Sequence, residues 1–187
     1  MSADRLFEPL QLGHCQLKHR MVMAPLTRFR GDSNHVQGKY AKEYYEQRAS
    51  VPGTFIVTEA TFISPEAGGY NNVPGIWDEA QVAAWKPIVD AVHAKGSFIY
   101  LQLWALGRVA GAEQAAKNLQ REGPFPIVSS SATPISSEYE EPKAMSEEDI
   151  GSFIEAYANA ARNSVRAGFD GVEVHGKVKN TRFSGFR

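Results

Sequence analysis

The chain has 187 residues, a length typical of one domain, and its 43% hydrophobic and 22% charged residues are ordinary for a globular protein. The net charge of -1 favours neither a nucleic acid nor an anionic membrane as partner. No stretch is apolar enough to span a bilayer, no secretory signal is recognisable, and the single Cys15 excludes an intrachain disulfide, so we expect a reducing, cytoplasmic setting.

Four short apolar runs predict buried β-strands. They are residues 20–26, 54–60, 98–104 and 171–175. Pro25 ends the first run because a proline cannot donate to a strand ladder. A long loop, residues 61–77, is predicted after the second strand. Residues 107–133, after the third strand, are predicted to be an irregular insertion with at most short strands.

Helical patterns separate these strands, at residues 38–50 and in two longer segments. Asp78 is a good N-cap with Gln81 as its capping-box partner, although Pro87 falls inside that helix, where it costs about 3 kcal/mol unless the helix kinks or starts early. The last helix begins at Ser146 and stops at Gly168. Its predicted packing face is Ile150, Phe153, Ile154, Tyr157, Ala161 and Val165.

The alternation of strands and helices predicts an α/β fold built from right-handed parallel βαβ units. Several catalytic motifs are missing from the sequence: there is no G-x-S-x-G elbow, no H-E-x-x-H pair and no Gly-Lys-Ser/Thr phosphate loop. We expect Cys15, near an exposed start of the chain, to be an inert thiol. The histidines at positions 14, 19, 35 and 93 are expected to be solvated.

Polar groups follow or end all four predicted strands: Thr27, the segment 59–61, Gln102 with Trp104, and His175. The carboxyl ends of parallel barrel strands converge on one face, where active sites are built. A buried amide such as that of Gln102 is costly unless it is hydrogen-bonded, so Gln102 either reads the imide edge of a ligand or is satisfied by neighbouring backbone. Trp104 by itself is more typical of a core residue.

Six segments carry a family resemblance. They are Leu-Lys-His-Arg-Met-Val-Met-Ala-Pro-Leu-Thr-Arg (17–28), Gln-Arg-Ala-Ser-Val-Pro-Gly-Thr-Phe-Ile-Val-Thr-Glu-Ala-Thr (47–61), Pro-Gly-Ile-Trp (74–77), Asp-Ala-Val-His-Ala-Lys-Gly (90–96), Gln-Leu-Trp (102–104) and Ala-Gly-Phe-Asp-Gly-Val-Glu-Val-His-Gly (167–176). In this order they resemble the old yellow enzyme family of FMN-dependent ene-reductases, and the residues of these segments are most similar to those of fungal members. The resemblance covers residues 6–176.

The resemblance implies a TIM (β/α)8 barrel that binds FMN at the carboxyl ends of its strands. It implies that NADPH or NADH reduces the flavin and that the hydride passes to an activated C=C bond of an enone or enal. Pro25, Leu26 and Thr27 match the segment along the flavin, with Thr27 bonded to a flavin carbonyl. Ala60 would approach the same edge through its backbone, and Gln102 would read the pyrimidine edge.

The substrate site is also implied by the resemblance. Trp104 would shape the pocket, and His175, beside both flavin and substrate, would donate to the substrate carbonyl and stabilise its developing charge. The family's second donor, an asparagine, falls on Val178, and its proton-donating tyrosine falls on Asn180. A valine cannot donate a hydrogen bond to the substrate carbonyl, and an asparagine is not an acid that could donate a proton.

We therefore expect residues 1–176 to be the N-terminal half of an FMN-binding barrel, about the first four βα units, and residues 177–187 to be a divergent basic tail. A complete barrel takes about 250 residues. Two functional hypotheses follow. The first is an FMN-dependent NAD(P)H reductase acting on small activated alkenes. The second is a truncated, non-catalytic half-barrel, either inert or associating with another chain through exposed strand edges.

Overall fold

The computed structural model describes residues 3–176, which contain nine strands and four α-helices. The strands are β1 (Leu10–Leu12), β2 (Cys15–Leu17), β3 (Val22–Met23), β4 (Phe55–Val57), β5 (Thr61–Phe62), β6 (Phe98–Trp104), β7 (Val128–Ser129), β8 (Lys143–Ala144) and β9 (Gly171–Val174). The helices are α1 (Ala41–Arg48), α2 (Glu79–Ala94), α3 (Glu113–Glu122) and α4 (Glu147–Ala167). Within this range no helix combines the length and apolarity needed to cross a membrane.

The main sheet is parallel throughout and follows chain order. Strand β3 pairs with β4, β4 and β5 both pair with β6, and β9 pairs with the other side of β6. Strands β4 and β5 act as one interrupted strand, because both run along the same side of β6. The order β3, β4–β5, β6, β9 is that of four successive βα units, and it confirms the predicted parallel crossovers.

Strand β6 shows how the sheet separates two surfaces. Ile99, Leu101 and Leu103 are fully buried in the main core, together with Trp85 and Val89 of α2. Because successive side chains on a strand point to opposite faces, Tyr100, Gln102 and Trp104 lie on the inner face, away from the helices. The inner face is therefore the surface on which a ligand site can form.

Helix α2 has the predicted capping box. The Asp78 side chain accepts from the Gln81 backbone N–H, and the Gln81 side chain accepts from the Asp78 N–H. Pro87 lies inside the helix, which continues to Ala94. Both Pro87 and Ala83, whose carbonyl loses its usual donor, are exposed, so water can satisfy that carbonyl.

Helix α4 also starts and stops as predicted, with a Ser146–Asp149 capping box and a left-handed Gly168 at φ 96°. Its predicted packing face is wrong in part, because Ile154 and Val165 are 52% and 71% exposed and Ile150 is exposed as well. The buried side is made of smaller residues, Ala160, Asn163, Ser164 and Ala167. Small side chains let the helix approach the sheet closely, a preference that a search for large apolar residues does not detect.

The predicted insertion does follow β6, but the prediction that residues 107–133 contain at most short strands is wrong, because they also contain a helix. A 3-10 turn, Gly107–Gly111, leads into helix α3, and β7 then pairs with β8. The buried side of α3 contains two alanines, Asn118 and a single large apolar residue, Leu119. A search for large apolar residues at helical spacing therefore does not detect this helix. The predicted loop 61–77 likewise contains β5, and the first predicted strand shrinks to Val22–Met23.

A hairpin of β1 and β2 closes the end of the sheet where the strands begin. Cys15 and Leu17 are buried there against Phe55, Val57 and the partly buried Tyr100. This placement corrects the expectation that Cys15 lies near an exposed start of the chain. His19 and His35 are buried as well, not solvated.

Candidate active site

The inner face carries four facing side chains near the carboxyl ends of β6 and β9. The Gln102 Nε2 donates to a Glu173 carboxylate oxygen at 2.7 Å. The rings of Trp104 and His175 lie next, with centroids 5.9 Å apart. Gln102 lies opposite Glu173 in the register of β6 and β9. Because side chains alternate between the two faces on both strands, the next residues on the inner face, Trp104 and His175, also lie side by side. The predicted site residues Gln102, Trp104 and His175 are therefore neighbours.

Gln102 is buried and hydrogen-bonded, as the cost of burying an amide requires. Its side-chain partner is Glu173, whereas its backbone N–H donates to the Thr58 hydroxyl at 3.1 Å. Sequence reasoning missed Glu173. The signal was available, because period-two alternation puts Glu173 on the face of His175.

His175 directly follows β9 and is held by its backbone, whose N–H donates to the Leu103 carbonyl at 2.9 Å. The imidazole Nδ1 is buried and has no hydrogen-bond partner among residues 3–176. An unpaired buried polar atom costs about 1–3 kcal/mol. A ligand that offers an oxygen to this nitrogen would remove that cost, so this end of the inner face fits a polar ligand group.

The buried carboxylate of Glu59 links the segments that follow the neighbouring strands β3 and β4. Glu59, fully buried, accepts from the Arg28 backbone and guanidinium, from Gln37 Nε2 at 2.8 Å and from the Tyr45 hydroxyl at 3.3 Å. Burial and the Glu59 charge raise the pKa of Tyr45, which keeps its proton for this bond. Sequence reasoning placed Glu59 at a strand end but did not assign it this role.

The Arg28–Glu59 pair brings together the segments that hold the remaining predicted residues. Thr27 precedes Arg28 and is exposed, whereas Ala60 follows Glu59 and is buried. Pro25 is half-buried and Leu26 is exposed, just beyond β3. Because β3, β4 and β6 are parallel neighbours, all of these residues lie at one edge of the sheet. Among the described residues, however, none of them makes a side-chain hydrogen bond to Gln102 or His175.

A cleft of about 590 Å³ lies beside this site. It is lined by Arg28, Arg30, Gly38, Tyr40, Ala41 and Tyr44. The Arg28 and Arg48 guanidinium groups stack on Tyr44 at 3.8 and 3.5 Å from its ring centroid. The lining includes none of the predicted site residues. Val178 and Asn180, at which the sequence departs from the family pattern, lie outside the described residues.

Comparisons with known proteins identify the ancestry of this architecture. Residues 5–178 match the model of the NADH:flavin oxidoreductase / NADH oxidase family. The chain is 62% identical over 173 residues to the NADP-dependent oxidoreductase lnbE of Aspergillus flavus, covering 92% of this chain and 45% of that protein. It is 56% identical over 171 residues to the chanoclavine-I aldehyde reductase fgaOx3 of Penicillium roqueforti, covering 91% of this chain and 45% of that protein.

A solved structure agrees with the sequence matches. Old Yellow Enzyme from Pichia sp. AKU4542 superposes with a TM-score of 0.84 at 42% identity, covering 93% of this chain and 46% of that one. The expected resemblance and the partial-barrel fold are thereby confirmed. The chain spans about half the length of the curated relatives it matches.

Proposed function

The chain belongs to the NADH:flavin oxidoreductase / NADH oxidase family, and we propose that it contributes one half of the active site of an FMN-dependent reductase. NADPH or NADH would be the reductant and a small enone or enal the substrate. The observation that carries the proposal is the facing pair of contacts, Gln102 with Glu173 and Trp104 with His175, beside an unpaired His175 Nδ1. Among the similar proteins, the name NADP-dependent oxidoreductase supports NADPH as the reductant, and the name aldehyde reductase supports a reduction.

Six residues would hold the cofactor, and His175 is one of them. Gln102 offers an amide donor and acceptor to the polar edge of the flavin ring, and its bond to Glu173 fixes the direction of that amide. Pro25, Leu26 and Thr27, held by the Arg28–Glu59 pair, would lie along the ring, with Ala60 at the same edge. FMN, when bound, supplies the hydride-transfer chemistry that no side chain of this chain can supply.

His175 would also act on the substrate. Its imidazole would donate a hydrogen bond to the substrate carbonyl and stabilise the negative charge that develops as the neighbouring alkene accepts a hydride. Trp104, packed against the imidazole, would limit how the ring tilts and form one wall of the pocket. The carbonyl oxygen would then supply the partner that the buried Nδ1 lacks.

The cofactor proposal is tested by titrating the purified chain with FMN and following flavin fluorescence and co-elution of flavin absorbance in gel filtration. We expect binding, and we expect Gln102→Leu to weaken it about tenfold, because one bond to the ring is lost. Gln16→Ala, an exposed change on β2, is the control. A colourless chain after gel filtration, with no change in fluorescence, would reject flavin binding by this polypeptide.

The substrate proposal needs turnover as its readout. NADPH oxidation with a simple cyclic enone should fall about 100-fold in His175→Ala, the usual effect of removing one donor to a developing oxyanion. The rate of flavin reduction by NADPH, measured without enone, should stay within a few-fold of wild type. Equal losses in both rates would show that His175 supports the fold or the flavin instead of the substrate.

A second candidate function, self-association without catalysis, is favoured by the edges of the sheet. Within residues 3–176, the outer edges of β3 and β9 pair with no other strand. Val22 and Val174 on these edges are 49% and 59% exposed. Unpaired edges with apolar side chains are templates for pairing with another chain. Light scattering over a range of protein concentrations distinguishes the two candidates, since a colourless oligomer supports the second and a yellow monomer the first.

A further inference from the structure

A compact group of ligand-type side chains lies at the opposite end of the sheet from the candidate active site. His14 occupies the turn of the β1–β2 hairpin, Cys15 begins β2, and Asp170 directly precedes β9. One nitrogen, one sulfur and one oxygen from these residues all lie within 4.8 Å of one another. The His14 Nε2 is 3.5 Å from an Asp170 carboxylate oxygen.

Asp170 is held in place by groups outside this triad. Its Oδ2 accepts from the Ile99 backbone N–H at 2.8 Å and bonds the His93 Nε2 at 2.9 Å. The Asp170 backbone N–H in turn donates to the Ile99 carbonyl at 3.1 Å. The Oδ1 therefore remains directed towards His14. A carboxylate oriented through its second oxygen is the usual arrangement behind a metal ligand.

An ion pair between His14 and Asp170 does not by itself explain the position of Cys15. Its thiol is completely buried under the hairpin, beside the Tyr100 hydroxyl. A pairing of His14 with Asp170 needs no sulfur atom. The sulfur nevertheless lies within reach of both groups.

We propose that His14, Cys15 and Asp170 bind a divalent zinc-type cation, with His93 orienting Asp170 and water in the fourth position. Thiolate, imidazole and carboxylate are the ligands that Zn²⁺ takes, at about 2.0–2.3 Å, which places tetrahedral ligand atoms about 3.3–3.8 Å apart. The His14–Asp170 separation already matches this spacing. His14 has a side chain that is 68% exposed, so it can move to complete the set and leaves room for the water.

The site would be structural. It would connect a hairpin near the start of the chain to the beginning of β9, more than 150 residues later. A cross-link between such distant segments restricts the unfolded chain and secures the hairpin over the inner face. This role does not depend on flavin binding or on turnover, because His14, Cys15 and Asp170 lie where the strands begin.

The test uses the full, untagged chain with Co²⁺ and Zn²⁺ as probes. We expect one ion per chain by equilibrium dialysis, and a Co²⁺ spectrum with a thiolate charge-transfer band. Cys15→Ser should remove that band, and His14→Ala should weaken binding by at least about tenfold. His93→Gln should weaken it about 10–100-fold, as is usual for a residue that orients a ligand. Gln16→Ala, exposed on the same strand, is the matched control and should bind like wild type.

A second measurement guards against variants that fold poorly. Zn²⁺ should raise the unfolding temperature of the wild type and of Gln16→Ala, and a chelator should reverse the effect. The same addition should raise the unfolding temperature of Cys15→Ser and His14→Ala by clearly less, provided that their circular dichroism matches the wild type. The proposal is overturned if the wild type binds no ion, or if Cys15→Ser binds Co²⁺ with an unaltered spectrum.

Discussion

The two ends of the same parallel sheet differ in how they are built. Where the strands begin, the β1–β2 hairpin covers the inner face with Cys15 and Leu17, and most side chains there are packed. Where the strands end, the inner face presents the side chains of Gln102, Trp104 and His175. The two ends of a single strand therefore have different roles. The first residues of β6 and β9 fill space, and their last residues offer polar groups.

The largest effect is expected at the end that carries the polar groups, from Glu59→Ala. The change leaves the Arg28 guanidinium, 16% exposed, without its carboxylate, and removes the acceptor for Gln37 and Tyr45. Breaking a buried ion pair from one side costs about 3–5 kcal/mol. Urea unfolding measures the loss. If Glu59→Ala is as stable as wild type, the contacts of the Glu59 carboxylate do not stabilise this end of the sheet.

A control for that variant is Glu113→Gln on α3. Within residues 3–176, Glu113 pairs only with Lys117 one turn away, and both side chains are largely exposed. Its unfolding midpoint in urea should match the wild type, because exposed pairs of this kind contribute little.

The closed end is tested by Gly171→Ala. A Cβ at this position would lie 2.5 Å from the Tyr100 ring, inside contact distance. The Tyr100 ring would have to shift beneath the hairpin, and such overpacking costs about 1–3 kcal/mol. Chemical unfolding should show this loss. Gly151→Ala on α4, where the new Cβ meets nothing within 4 Å, should instead stabilise by about 0.5–1 kcal/mol.

A smaller effect is expected at the start of α4. Ser146→Ala removes the side chain that accepts from the Asp149 backbone N–H at 3.1 Å. Loss of an N-cap costs about 1 kcal/mol. The midpoint of thermal unfolding should fall accordingly, whereas Ser152→Ala, an exposed change within the same helix, should leave it unchanged or slightly higher.

The smallest effect is a pH dependence at the same cap. Hydrogen bonds from Ser146, with Lys143 nearby, lower the pKa of Asp149 from 3.8 to about 2. A carboxylate with a depressed pKa contributes stability above its unfolded value and loses it as the pH falls through its folded value. The stability difference between wild type and Asp149→Asn should therefore be present above pH 3.8 and shrink towards pH 2. A difference that stays constant from neutral pH to pH 2 would contradict this origin.

Much of the fold follows from local sequence signals. Both ends of strand β6 were predicted correctly, because its run of mostly large apolar residues begins directly after the polar Ser97 and ends at Trp104. The capping box at Asp78 and the N-cap Ser146 located both long helices, since a capping residue acts on neighbours only a few positions away. Helix α3 was missed because its buried side contains alanines and an asparagine, whose burial depends on distant partners.

The candidate site was predictable to the extent that it depends on strand ends and alternation. Gln102 was singled out because a buried amide is costly without a partner, and His175 because it lies at the end of a strand. The pairing of Gln102 with Glu173 joins positions 71 apart, and only the register of β6 with β9 reveals it. The cluster of His14, Cys15 and Asp170 was missed for the same reason, because each residue looks unremarkable in its own segment.

Strand β6 has a consequence for local motion. It is the longest strand described and has parallel neighbours on both sides, β4 and β5 on one and β9 on the other. Freeing the whole strand requires the neighbours on both sides to separate, and this would expose Ile99, Leu101 and Leu103 to water. The amide protons of β6 should therefore exchange with solvent deuterium only in the rarest, most global openings. Amides of the edge strands β3 and β9 should exchange far sooner, through brief local fraying.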